Sequence, residues 1–174
     1  MRNIAIYKAT LDNEEIDQLK SVLQAKDDLS KVLEFEEKMV KYIGAKYAIA
    51  TATSTAALHL ALSSMRLKRG DKVLMSVNSF VNLPETVRHF DAEPIFVDIN
   101  LEDMNLDIEK FEEAIIANKS KKLRAAIITF IGGLAPNLEK IYEIAKKHNI
   151  LIIEDCRAAL GTTYKGQKVG NLSA

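Results

Sequence analysis

The sequence predicts an α/β protein, a three-layer α/β/α sandwich built on a mainly parallel sheet. Two observations carry that expectation. Short, near-continuous apolar runs alternate with amphipathic stretches of helical spacing, the pattern of parallel strands covered on both faces. No repeat, low-complexity tract or linker divides the 174 residues, and that length suits one sizeable core. Right-handed crossovers are the expected connections.

The elements follow in order. NEEIDQLKSVLQA (13–25) and VLEFEEKMVKYI (32–43) space apolar residues as helices do. YAIA (47–50) reads as a first short strand, followed by a helix over 54–67. DKVLMSV (71–77) is a second strand, opened by the turn residues Gly70 and Asp71. LPETVRHF contains a short helix, since Pro84 is tolerated in a first turn. PIFVDI (94–99) is a third strand, and DIEKFEEAI (107–115) a helix whose leading Asp can cap it. LRAAIITF (123–130), NLEKIYEIAKKH (137–148) and NILIIED (149–155) complete the pattern as strand, helix and strand.

Charge and composition narrow the function. Lys plus Arg and Asp plus Glu both number 24, which argues against nucleic acid or an anionic membrane surface as the main partner. Clusters such as SKKLR (120–124) read as solvated loop ends. The single cysteine, Cys156, excludes a disulfide framework and favours a reducing compartment. The N-terminus has no continuous apolar signal region, and no run reaches the roughly 20 residues that span a bilayer. A soluble, cytoplasmic protein is the expectation. His59, His89 and His148 lack metal-ligand spacing, so no metal site is expected. His59 reads as a packed helix residue, the other two as helix-end positions.

Ligands of parallel sheets bind at the strands' carboxyl ends, so the polar residues there are the site candidates. Thr53, Ser54 and Thr55 follow the first strand and open a helix. They either cap it or, with its free amides and positive dipole end, bind an anion. Capping is the simpler account of that segment alone. Ser79, Phe80 and Asn82 follow the second strand, Asp98 ends the third, and Glu154 and Asp155 end the fifth. Asp155 closes a very apolar strand, where a carboxylate needs a cation or donor partner. It either caps the next turn or meets a ligand. Phe80 is either core or a flat surface for one. The phosphate-binding loop of nucleotide hydrolases and the dinucleotide glycine fingerprint are both missing.

Taken together and in order, these segments resemble the nucleotide-sugar aminotransferases (DegT/StrS type) of the pyridoxal-phosphate fold type I superfamily. The likeness runs through FEEKMVKYIGAKYAIATATSTAALHLAL, RGDKVLMSVNSFVN, DAEPIFVDINLEDMNLDIEKFEEAI and PNLEKIYEIAKKHNILIIEDCRAALGTTYKGQKVG. It implies that Ser54 and Thr55 hold the phosphate of pyridoxal 5′-phosphate, Phe80 stacks on its ring, and Asp155 bonds the ring nitrogen. It also implies a keto-sugar nucleotide and an amino donor such as glutamate as substrates, for polysaccharide or glycan assembly.

The departures are equally specific. The family's Ser-Gly-Thr turn reads Thr53-Ser54-Thr55, losing a glycine that eases backbone approach to phosphate. After Asp155 the family has Ala-Ala-Gln/His-Ala, whereas CRAA introduces Arg157 and leaves Ala158 at the polar position. Phe130 stands where a His is common, and KDDLSK (26–31) replaces a glycine-containing segment. The resemblance places the Schiff-base lysine beyond YKGQKVG, so no catalytic residue is assigned and neither Lys165 nor Lys168 takes that role. Residues 1–174 are then one incomplete large domain, without its C-terminal part or the small domain, and inactive or impaired alone. A truncated product, an excised piece or half of a split enzyme would fit. The alternative is a non-catalytic interaction or regulatory subunit that pairs with a full-length paralogue. Family sites form at dimer interfaces, so a homodimer or a paralogous pair is expected.

Overall fold

The computed structural model describes residues 9–25 and 30–171. Residues 1–8, most of KDDLSK and the last three positions lie outside them, as does the expectation about an N-terminal signal region.

Four parallel strands form the sheet: β1 (Lys72–Ser76), β2 (Glu93–Val97), β3 (Leu123–Thr129) and β4 (Leu151–Asp155), in the order β2-β1-β3-β4. The central strands are buried on both faces and alternate between two cores. Val73, Met75, Ala125 and Ile127 meet helices α3 (Ser54–Ser64) and α4 (Asn82–Arg88) through Leu58, Leu62, Leu83 and Val87. Leu74, Ala126 and Ile128 meet α5 (Ile108–Ala117) and α6 (Leu138–His148) through Phe111, Ile115, Leu138 and Ile141. Helices on both faces of a parallel sheet make the three layers that the apolar pattern predicts.

Side-chain caps start α5 and α6, the first of them as expected. Asp107 accepts from the Lys110 amide at 2.9 Å and Asn137 from the Lys140 amide at 3.3 Å. Helices α1 (Asn13–Ala25) and α2 (Ser30–Ile43) also form, but neither buries a residue fully. At the opposite edge of the sheet from the strand carboxyl ends, buried Asp71 accepts from the Lys68 amide and pairs with Arg124 and Lys122 at 3.2 and 3.3 Å.

Three expectations fail. Residues 47–50 form no strand. A strand needs a neighbour to complete its ladder, and this segment pairs with none among the described residues. The Ala50 amide donates instead to the Glu36 carboxylate at 2.7 Å, and Tyr47 and Ile49 are exposed. His59 is not packed inside; it is exposed, with its ring 4.7 Å from that of Phe90. Helix α3 also stops short of Leu67, because Met65 caps it and Arg66 turns left-handed at φ 53°. The YKGQKVG turn is a small hairpin, β5 (Thr163–Tyr164) with β6 (Gln167–Lys168). Its two connecting residues, Lys165 and Gly166, both have positive φ, as a type I′ turn requires.

Phe111 is fully buried, whereas Leu101 is exposed. Phe111→Ala is expected to lower unfolding free energy by about 3–5 kcal/mol, and Leu101→Ala by no more than about 0.5 kcal/mol. Urea titration checks both, and equal losses would refute this assignment of the core.

Candidate functional site

The chain reverses its direction of travel across the sheet at the centre. It runs from β1 outward to β2, then crosses back over β1 to β3 and on to β4. The crevice between the carboxyl ends of β1 and β3 is therefore the switch point, where ligands of such sheets bind. Loop residues 77–81, after β1, and the turn 130–134, after β3, flank it. A cavity of 490 Å³ lies there, bordered by Asn78, Phe80, Thr129, Gly132 and Arg157. A second, of 530 Å³, lies toward α3 and is bordered by Ser54, Asn82, Asp155 and again Arg157. Arg157 stands between the two.

At the start of α3, capping belongs to Thr53. Its hydroxyl accepts from the Ala56 amide at 3.1 Å, and its carbonyl accepts from the Ala57 amide at 3.1 Å. That leaves the Ser54 and Thr55 amides as the unpaired donors of the first turn. The Asn82 side-chain amide donates to Thr55 Oγ1 at 3.1 Å, so the Thr55 proton is free to point elsewhere. Thr53 answers the capping question, and Ser54 and Thr55 remain available to an anion.

Asn82, on the first turn of α4 and nearly buried, extends the chain of contacts. Its carbonyl oxygen accepts from Arg157 Nη1 at 2.9 Å. Arg157 Nη2 lies 2.9 Å from Asp155 Oδ2, but its N–H is not aimed at that oxygen, which is buried with no hydrogen-bond donor. The Arg157 guanidinium also covers the Phe80 ring, 5.3 Å from its centroid. Thr55, Asn82, Arg157, Asp155 and Phe80 thus form one connected cluster, four of them strand-end or helix-start candidates from sequence. Ser54 joins it through the cavity wall.

Thr129 was not foreseen. It ends β3 in register with Asp155, and its buried Oγ1 also has no hydrogen-bond partner. A hydroxyl closing an otherwise apolar strand was the available signal. Asp98 and Glu154 do not join the cluster. Asp98 accepts from the Ile99 amide at 2.8 Å. Glu154 holds the following loop, accepting from Tyr142 and from the Gly170 amide. Phe130 is fully buried. The turns after β3 and β4 lie close enough to require a glycine. Gly133 has φ +78°, and a Cβ there would sit 3.3 Å from the Ala158 carbonyl.

The lysines after Asp155 are engaged elsewhere. Lys165 pairs with Glu139, which raises its pKa, the opposite of what a nucleophilic amine needs. Lys168 donates to the Tyr42 hydroxyl at 3.1 Å. Among the described residues no group of three or more His, Cys, Asp or Glu side chains is placed to hold a metal, and no helix is long and apolar enough to cross a membrane.

The profile of the DegT/DnrJ/EryC1/StrS aminotransferase family matches residues 9–174. An uncharacterized protein of Methanocaldococcus jannaschii is 36% identical over 92% of this chain and 40% of its own length. GDP-perosamine synthase of Caulobacter vibrioides is 37% identical over 81% of this chain and 37% of its own length. The solved structure of E. coli GDP-4-keto-6-deoxy-D-mannose-3-dehydratase with bound hydrated PLP superposes with TM-score 0.89 at 25% identity, covering 99% of this chain and 45% of that one. This chain therefore spans less than half the length of the relatives and structure it matches.

Two outcomes follow from the local chemistry. Thr53→Ala is expected to cost about 1 kcal/mol through loss of the cap, read by urea unfolding. Burial, then the Glu154 carboxylate, pushes the Cys156 thiol up to about 12. At pH 8 only a very small fraction of molecules carries the reactive thiolate. A thiol reagent should label the folded protein at least about a hundred-fold more slowly than the urea-unfolded one. Equal rates would refute the burial of that sulfur.

Proposed function

The chain belongs to the DegT/DnrJ/EryC1/StrS aminotransferase family, and from that membership we propose that it carries the pyridoxal 5′-phosphate pocket of an enzyme that aminates a keto-sugar nucleotide. One observation carries this reading. Asp155 Oδ2 is buried with no hydrogen bond aimed at it, although Arg157 Nη2 lies 2.9 Å away, and it stands beside the exposed Phe80 and a helix start with two unpaired amides. A ligand that combines a flat ring, a ring N–H and a phosphate satisfies all three.

Each residue has a role in this proposal. The Ser54 and Thr55 amides, with the Thr55 hydroxyl held by Asn82, bind the phosphate at the positive end of α3. Phe80 orients the ring by stacking. Asp155 holds a proton at the ring nitrogen, because a carboxylate in a mostly buried position favours a cationic partner. When bound, the protonated ring supplies an electron sink for amino-group transfer. Because this chain spans less than half the length of its relatives, the transfer reaction is assigned to a protein of full family length. With Lys165 and Lys168 engaged elsewhere, this stretch alone binds without turning over. The amino donor, the keto-sugar nucleotide and glycan assembly follow from the family, as does pairing with a second copy or a paralogue. Exposed apolar residues along α1 and α2, such as Leu19, Leu23 and Phe35, support such pairing. A cytoplasmic location fits the single, unpaired cysteine.

A second reading, a non-catalytic subunit that partners a full-length relative, is favoured by Arg157 lying across Asp155 and Phe80 and by Ala158 in place of a polar residue.

Titration with pyridoxal 5′-phosphate, followed in the visible spectrum, separates the readings. Saturable binding that Asp155→Ala weakens by about ten-fold or more supports the pocket. Binding indifferent to Asp155→Ala overturns it, and self-association without any binding supports the second reading. Borohydride treatment and peptide mapping should find no single modified lysine. A stoichiometric adduct on Lys165 or Lys168 would overturn the claim that this stretch lacks the reactive amine.

A further inference from the structure

Arg157 makes, within the chain, the contacts that the proposed ligand ring would need. Its guanidinium is a flat, delocalised cation. It lies 5.3 Å from the Phe80 centroid and 2.9 Å from Asp155 Oδ2, and a hydrogen bond of 2.9 Å to Asn82 Oδ1 anchors it. A ring inserted between Phe80 and the guanidinium would need two van der Waals contacts of about 3.5 Å, or about 7 Å in all. The observed separation is too small. The approach to Asp155 Oδ2 is also taken, since Nη2 already stands at hydrogen-bond distance from it.

We propose that Arg157 is the specificity-determining residue of this pocket, an internal occupant that a ligand must displace before its ring can lie on Phe80 and Asp155. The inference rests on the pyridoxal-phosphate reading above. Its consequence is a selection rule. Displacing a cation from a buried carboxylate leaves that charge unpaired unless the incoming group replaces it. Neutral and anionic rings are therefore excluded, and only a ring that brings its own N–H⁺, on a ligand also held by the α3 amides, is admitted. Arg157 borders both cavities, so its side chain has open space beside it into which it can swing.

The test uses pyridoxamine 5′-phosphate, whose lack of an aldehyde prevents adducts with surface lysines, measured by equilibrium dialysis. Arg157→Ala and Arg157→Met are expected to bind it about ten-fold or more tightly than wild type. Asp155→Asn added to either should abolish that gain. Inorganic phosphate, which needs only the α3 end, should bind all of these with similar affinity. Arg157→Met keeps the side-chain stem, so it decides the matter where Arg157→Ala fails to fold. If wild type binds pyridoxamine phosphate as tightly as both variants or more tightly, Arg157 is no competitor and this proposal falls, while the pocket reading stands. If none of the chains binds it, both fall together.

Discussion

The parallel ladder between β1 and β3 is the constraint on which the rest depends. Both strands are apolar on each face, so they are stable only when helices cover them on both sides. Because β2 is added on one side of β1 and β3 and β4 on the other, the connections diverge at one point. The groups that close the strands are forced to share that edge. Phe80, Thr129 and Asp155 are far apart in sequence, yet the ladder register brings the ends of their strands together.

That constraint explains which parts of the molecule were legible in the sequence. Strands β1 to β4 announce themselves by apolar content and β-branched residues, and helices α5 and α6 because local propensity, caps and burial agree. Tyr47–Ala50 has the apolar content of a strand, but content alone does not supply a hydrogen-bonding neighbour. The partner is a property of the whole sheet. His59 fails for a related reason: it sits in an Ala- and Leu-rich helix, but α3 buries only Leu58 and Leu62 fully and leaves its other side open.

The site was legible in its components and not in its connections. Ser54, Thr55, Phe80 and Asp155 were each readable from position at a strand end or helix start. Asn82, named only as one polar residue among several, is the bridge that touches both Thr55 and Arg157. Hydrogen bonds across elements depend on how helices sit on the sheet, which residue spacing does not encode. The choice between a helix cap and an anion site also dissolves at this level. One hydroxyl, that of Thr53, caps, and its two neighbours keep their amides.

Arg157 is where sequence and geometry inform each other most. In sequence it is an added charge where the family has a small residue, together with the loss of a polar group at Ala158. Each change alone would read as decay of a binding site. In three dimensions the guanidinium lies on the aromatic face and beside the carboxylate, so the charge of Asp155 is compensated without any ligand. An unpaired buried carboxylate destabilises a fold, and a fold that compensates it internally can keep Asp155 whether or not a ligand is bound. On the proposed reading, such a pocket keeps its carboxylate when empty at a cost in affinity for the ligand. This trade-off lets a binding reading and a non-catalytic reading fit the same residues, and the balance between them is set by how readily one side chain gives up its place.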